Sequence, residues 1–380
     1  MYNLEDYGAM IAHRARTAAY SEAVLRAVKP GDVVVEIGCG PGLFSMLACR
    51  AGAKRVYAIE ANDSVAFARE LVAANGYADR MIILHGSSRR MNLAERANVI
   101  LSDIRGVLPL LDDAIVSIED ARQRFLAPGG AMIPAVDTLC AALASAPEFY
   151  ESIVSPWRDS REGVRLSPLL ERALNSTYSV SFDADKLISE RQDWGTLDYQ
   201  CGAPRRAAGE LKFQASRSGV AHGMCLWFAT TLYRDIGYST APGQPNNVYG
   251  QLFLPWREPV KVEEGQRVFV DVRADPVSGS HVWKWDTRFP GASERAERVF
   301  SQSTLEGARF SLETLKRRSA EFVPKVSPRG IAESWMLQAM NGTISLQEIA
   351  EAAAARFPET FRNSQEALQL VSKLSDEFAL

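Results

Sequence analysis

The run Val35-Glu36-Ile37-Gly38-Cys39-Gly40-Pro41-Gly42 carries the strongest chemistry in the chain. Glycines at alternating positions let a backbone turn sharply and approach a ligand with no Cβ in between. Pro41 suits the first turn of a following helix, where its missing N–H is not needed. The free N–H groups of such a helix start suit a carboxylate or a phosphate. Further on, Val56-Tyr57-Ala58-Ile59 ends in Glu60, 18 residues beyond Gly42. An acid there can accept both hydroxyls of a ribose. The chemistry implied is the capture of a charged, ribose-bearing ligand.

The surrounding elements are those such a loop needs. Tyr7, Met10, Ile11, Ala15, Tyr20, Val24 and Leu25 recur at near-helical spacing before Lys29. Strands are expected at 33–35, 55–59, 81–84 and 99–101, and helices at 43–51, 64–75 and 117–126. The turn Pro128-Gly129-Gly130 is expected to close the last of these helices. Strands separated by helices predict a parallel sheet covered on both faces. Beyond Pro147 the segments 223–232, 248–254, 267–272 and 281–287 are short, rich in β-branched and aromatic residues, and bounded by Gly, Pro and Asn. They predict an antiparallel sandwich or barrel. Residues 167–177 read as an inserted helical arm, 322–330 as a linker, and 331–340, 345–357 and 364–378 as helices. Ser345 and Glu348 form a capping-box pattern. The expected domains are 1–28, covering the ligand; 29–145, parallel; 146–322, antiparallel with an arm near 167–175; and 323–380, helical.

Composition narrows the classes. Of 380 residues, 47% are hydrophobic and 23% charged, which excludes a disordered or fibrous chain. Lys+Arg 43 against Asp+Glu 46 leaves a net charge of -3, so no whole-chain basic field exists and nucleic acid is not the expected partner. No run approaches the roughly 20 apolar residues needed to cross a bilayer, and MYNLEDYGAM lacks the blocks of a signal peptide. A cytoplasmic protein with no membrane partner is expected. Five scattered cysteines, never paired as C-x-x-C, argue against a disulfide framework or a thiolate metal site.

Glycine loops also serve nucleotide-linked dehydrogenases and plain turns. Glu36 directly before the loop, and G-x-G-x-G in place of G-x-G-x-x-G, make this one resemble the S-adenosylmethionine loop of class I methyltransferases. Met10 to Tyr20, with Arg16-Thr17, resembles the N-terminal helix of protein arginine methyltransferases. So do Gly42 to Ala48, Ala51-Gly52-Ala53-Lys54-Arg55-Val56, and Leu126-Ala127-Pro128-Gly129-Gly130 with Ile133-Pro134. Looser likeness continues through 220–228 and Tyr238-Ser239-Thr240-Ala241-Pro242. Over about residues 7 to 290 the resemblance, to a bacterial form with a divergent acceptor loop, implies a Rossmann-like methyltransferase domain. An antiparallel β-barrel with a helical arm follows it, and then a small helical domain. It implies S-adenosylmethionine as cofactor, no metal, and Met10, Arg16, Glu36, Gly38, Cys39, Gly40, Gly42, Glu60, Ala61, Ser88 and Ser102 around it, with Arg16 on the carboxylate. It also implies a homodimer through the arm near Ser167 to Asn175.

The acceptor loop departs from the family. Two glutamates hold the guanidinium there, in S-E-x-x-G-x-x-x-x-x-E. Here Ser102-Asp103-Ile104-Arg105-Gly106 leads to Asp112-Asp113, so both acids are one methylene shorter and Arg105 adds a positive charge. If Arg105 points away, Asp103 with Asp112 or Asp113 can still hold a cationic nitrogen. If it points inward, it can hold the carboxylate of a small metabolite or peptide natural product methylated at nitrogen or oxygen. A third reading has Arg105 pairing with Asp103 structurally. The family's T-H-W element aligns with Asn246-Asn247-Val248 and lacks both imidazole and indole. Trp283 and Trp285 share a strand face, which reads as barrel packing. The acceptor is a small molecule, peptide or protein. A cofactor-binding regulator without transferase activity is the remaining alternative. Residues 340–350 weakly resemble small peptide-recognising helical domains related to the PqqD family.

Overall fold

The computed structural model of the chain describes residues 3–111, 113–158, 160, 162–245, 247–277, 280–290, 296–307, 316–317 and 319–379. Contacts divide the chain into two compact units, 1–308 and 309–380, earlier than the expected boundary at 322.

The first unit opens with α1 (Leu4–Ala12) and α2 (Arg14–Ala27). Asn3 and Asp6 cap α1 reciprocally, and His13, with extended backbone, breaks the run between the two helices. A parallel sheet follows: β1 (Val33–Ile37), β2 (Arg55–Glu60), β3 (Met81–His85), β4 (Ala97–Ser102) and β5 (Leu126–Ile133), ordered β3-β2-β1-β4-β5. Helices α3 (Leu43–Arg50), α4 (Val65–Ala74) and α5 (Ala114–Phe125) connect the strands. The chain steps to β2 on one side of β1 and to β4 on the other. In such sheets the crevice beyond the carboxyl ends of the diverging strands receives ligands. The glycine loop, Glu60 and Asp103 all lie at those ends, since Ile37 pairs with Ile59 and with Ser102.

Pro128-Gly129-Gly130 is not a turn closing a helix but part of β5. Pairing with β4 skips from Ala97↔Leu126 to Val99↔Ala131, and Gly129 takes φ +74° in the bulge. The strand β6 (Val136–Ala144), assigned to the parallel domain by the expected boundary at 145, instead starts the antiparallel part. It pairs with β8 (Gln192–Asp198) and β10 (Gly219–Tyr233). The first antiparallel sheet runs β7 (Tyr178–Val180), β12 (Gln251–Val262), β10, β6, β8, with β11 (Ile236–Ser239) beside β10. The second runs β15 (Ala296–Ser303), β14 (Ser280–Pro290), β13 (Arg267–Val277), β9 (Ala207–Gln214). The sheets meet where β8 abuts β9 and β12 abuts β15. Aromatic side chains fill the space between them: Trp283 lies edge-on to Trp194 at 5.8 Å and Trp256 to Phe289 at 4.9 Å. Trp283 and Trp285 are buried packing residues.

The arm is longer than expected. Helix α6 (Pro147–Arg158) precedes a 3-10 turn at Ser167–Leu169 and α7 (Leu170–Leu174). Its buried Tyr150, Ile153 and Val154 stand at helical spacing, the signal by which the sequence marks it. The five cysteines are free. No helix among the described residues is long and apolar enough to cross a membrane.

The second unit has its own core, with Met336, Ile349, Ala353 and Val371 between helices Pro328–Ala339, Leu346–Arg356 and Ser364–Phe378. The expected linker ends early, because Ser327 caps the first helix by accepting from Gly330 N and Pro328 takes the position after the cap. Ser345 and Glu348 form the reciprocal cap on the second helix. Met336 is fully buried, so Met336→Ala should lower the stability of this unit by about 2–5 kcal/mol, as read by urea denaturation.

Candidate functional site

A cavity of about 280 Å³ opens at the diverging strand ends and is lined from three directions. The N-terminal helices contribute Tyr7, Met10 and Arg16. Strands β1 and β2 contribute Glu36 and Glu60, and the loops after β1 and β4 contribute Gly38, Cys39, Gly40 and Asp103. The antiparallel domain contributes Val248 and Tyr249. Backbone folding in the loop requires glycine: Gly38 and Gly40 take φ +70° and +49°. A Cβ at Gly38 would lie 2.3 Å from Ile104 Cγ2, and one at Gly40 would lie 2.7 Å from the Tyr7 ring. Tyr7 is held over the loop by its hydroxyl, 2.9 Å from Ser64 Oγ.

Three acids line this cavity in different settings. Glu60 Oε2 accepts from Gly40 N at 2.8 Å, and Oε1 accepts from Asn62 N and Nδ2 at 2.9 and 3.0 Å. These bonds fix the carboxylate at the end of β2. Glu36 accepts from the Ser45 hydroxyl. Burial pushes its carboxyl up to about 8, against the opposing pull of Ser45.

Asp103 gathers two guanidiniums and a phenol. Its Oδ2 accepts from Arg16 Nε and the Tyr249 hydroxyl, and its Oδ1 from Arg105 Nη2 at 3.1 Å. Burial alone would raise this carboxyl, but the Arg16 and Arg105 guanidiniums and the Tyr249 hydroxyl hold it down to about 2. Arg16 also donates to the Tyr249 hydroxyl at 3.0 Å and to Met10 O at 3.1 Å.

The reading of Arg105 as holder of a substrate carboxylate is corrected here. Its side chain has no exposed surface and does not line the cavity. Its Nη1 donates to Asp137 at 2.6 Å and Thr230 at 2.9 Å, and its Nη2 to the Tyr20 and Tyr238 hydroxyls at 2.8 and 3.0 Å. A guanidinium so enclosed has no face to offer a ligand. Asp113 also departs from expectation, since it pairs with Arg89 at 3.2 Å on the surface. Asp112 lies outside the described residues.

Of the other candidates, Gly42 turns the loop by donating to Cys39 O at 2.8 Å. Ala61 is exposed. Ser88 is buried and its carbonyl accepts from Arg124 at 2.7 Å. Ser102 is buried and its carbonyl accepts from the Tyr20 hydroxyl at 2.9 Å. None of these four lines the cavity. Sequence reasoning leaves out Tyr249, Tyr238, Asp137 and His13. His13 is buried against the Tyr238 and Tyr249 rings, at 6.3 and 6.2 Å between centroids, with neither ring nitrogen hydrogen-bonded. Burial, then Arg16, lower its pKa. Among the described residues no group of three or more His, Cys, Asp or Glu is placed to hold a metal ion.

Residues 14–135 match the family model described as ribosomal protein L11 methyltransferase, and residues 136–284 that of the arginine methyltransferase oligomerization subdomain. The chain is 33% identical to the "Probable protein arginine N-methyltransferase 6" of Arabidopsis thaliana, over 62% of this chain and 55% of that protein. It is 31% identical to the "Probable histone-arginine methyltransferase 1.3" of the same plant, over 68% of this chain and 51% of that protein. The chain thus spans about half the length of these curated relatives. Among solved structures, the Trypanosoma brucei PRMT1 enzyme-prozyme heterotetrameric complex with AdoHcy superposes with TM-score 0.72 at 20% identity, over 78% of this chain and 97% of that one. Protein arginine methyltransferase 10 of Arabidopsis thaliana does so with TM-score 0.69 at 20% identity, over 80% and 98%. At that identity the likeness is one of fold.

The Glu36 carboxyl has a testable consequence. Between its ordinary value of 4.5 and about 8 the unfolded chain releases a proton that the folded chain keeps. Ligand-free stability therefore falls as pH rises through this window and levels off above it. Glu36→Gln should remove this dependence, on the order of 4 kcal/mol across the window, as read by denaturation at pH 5 and pH 8.5.

Proposed function

We propose that this chain, an arginine methyltransferase-like protein, transfers a methyl group from S-adenosylmethionine to a guanidine or amine nitrogen. One observation carries the reading: Arg16, Glu60 and the glycine loop line the same cavity as Asp103, so donor and acceptor groups meet in one space. The residues fit the donor. Gly38 and Gly40 present bare backbone to the cavity at positive φ that no side chain could share without meeting Ile104 or Tyr7, Glu60 offers carboxylate oxygens to a ribose, and Arg16 offers a fork to a carboxylate. Bound S-adenosylmethionine would supply a methyl group on a positively charged sulfur. This chain's part is to orient the acceptor. A guanidinium is protonated and a poor nucleophile, and Asp103, charged at any ordinary pH, can align it and balance its charge.

By their printed names the relatives act on protein and histone arginines; a peptidyl or protein arginine is accordingly the acceptor proposed here. Isothermal titration should show S-adenosylmethionine binding at micromolar concentration; none would remove the methyltransferase reading. Glu60→Gln keeps one acceptor oxygen for the loop and should weaken binding by about 1–3 kcal/mol; unchanged affinity would move the ribose site elsewhere.

We also propose a homodimer through the arm of α6 and α7. The arm lies inside the segment matched to the oligomerization subdomain, and Val164 and Leu169 there are exposed. Light scattering should return twice the chain mass of 41.8 kDa; a monomer would count against it.

A further inference from the structure

Asp103 lines the cavity, and the T-H-W positions carry neither imidazole nor indole. Tyr249, reaching in from the antiparallel domain, touches Asp103 Oδ2, Arg16 Nε and the Tyr238 hydroxyl. We propose that Asp103 Oδ2 and the Tyr249 hydroxyl together form the clamp for the acceptor nitrogen, a guanidinium-binding pair that Arg16 occupies until a ligand carboxylate draws it away. This rests on the reading of the chain as a methyltransferase acting on a guanidine.

The structure contains the clamp's complement. The Nε–H of Arg16 is shared between a carboxylate oxygen and a phenol oxygen, so the pair already has the spacing and acceptor character that an arginine N–H needs. A phenol has one donor and two acceptor sites. Tyr249 donates to Asp103 and accepts from the Tyr238 hydroxyl at 3.0 Å and from Arg16. Departure of Arg16 frees one acceptor site on Tyr249 and one on Asp103. The remaining partners stay: Arg105 holds Asp103 Oδ1 at 3.1 Å and the Tyr238 hydroxyl at 3.0 Å. The clamp therefore keeps its shape when Arg16 leaves. With only Arg105 then beside it, Asp103 has lost one of its two cations and draws another.

The test uses the full chain, S-adenosylmethionine for turnover, S-adenosylhomocysteine for equilibrium binding, and a short peptide with one central arginine. Tyr249→Phe keeps the ring and removes the hydroxyl. It should raise the peptide KM, and the peptide Kd of the S-adenosylhomocysteine complex, by about tenfold or more. Affinity for S-adenosylhomocysteine should hold or rise, because Arg16 loses a competing bond. Tyr238→Phe, whose hydroxyl lies one bond further away, should have a smaller effect on the peptide. In the wild-type protein, omitting S-adenosylhomocysteine should weaken peptide binding by a comparable factor. An unchanged peptide KM and Kd in Tyr249→Phe overturns the clamp, and so does an equal loss of S-adenosylhomocysteine affinity, which would assign Tyr249 to the cofactor. Wild-type protein that binds S-adenosylhomocysteine but neither binds nor methylates the peptide overturns the guanidine reading itself, a result distinct from the other two.

Discussion

A guanidinium without exposed surface sits where the N-terminal helices, the parallel sheet and the antiparallel domain converge. Burying such an ion is unfavourable by several kcal/mol unless charge and hydrogen bonds answer it. Arg105 is answered from every side: by Asp137 on β6, Thr230 on β10, Tyr238 on β11, Tyr20 on α2 and Asp103 beyond β4. The Phe228 ring covers it at 4.8 Å, and Nε alone lacks a partner. Asp137 is in turn held by the Tyr199 hydroxyl at 2.8 Å. Displacing any one of these elements would remove a charge or hydrogen-bond partner from the buried guanidinium, so a single side chain ties the relative placement of all of them.

The cavity inherits its geometry from that constraint. Tyr20, Tyr238 and Asp103 are all held by Arg105, and Tyr249 is held by Tyr238 and Asp103. The Asp103 carboxylate and the Tyr249 hydroxyl on the cavity wall are thus held by groups with no slack of their own. Formally, Arg16 and Arg105 balance Asp103 and Asp137. Glu36, pushed up to about 8, is protonated at neutral pH and adds no charge to the space behind the glycine loop. An incoming ligand therefore meets paired charges around Asp103, where it binds by exchanging partners, and a Glu60 carboxylate held by neutral N–H groups.

The glycine loop and its neighbouring acids were legible because their signal is local. Glu36 lies on β1, the glycines in the loop that follows it, and Glu60 at the end of β2. The helix cap at Ser345 is legible for the same reason. The surroundings of Arg105 were not, because its partners are distant. Arg105 meets Asp137, Thr230 and Tyr238 at separations of 32, 125 and 133 residues, and no local pattern says whether an arginine two places from an acid faces ligand or core. Pro128-Gly129-Gly130 misled for a related reason. Glycines that mark a turn also permit a bulge, and only the pairing of β4 with β5 decides between them.

Arg16 lines the cavity beside the glycine loop and pairs with Asp103, and this gives the site its logic. A residue held by an internal partner lowers the apparent affinity of any ligand that must displace it, by the fraction of molecules in which it is free. The bonds Arg16 surrenders to Asp103 and Tyr249 must be replaced by those it makes to a ligand carboxylate, so the two sets nearly offset. Net affinity for a ribose-bearing ligand then falls to the glycine loop and Glu60, whose carboxylate is already oriented by Gly40 and Asn62. What the exchange changes is the state of Asp103. Coupling between two sites is reciprocal: a ligand that draws Arg16 away exposes an acid to a second cation, and a cation that takes that acid releases Arg16 to the first ligand.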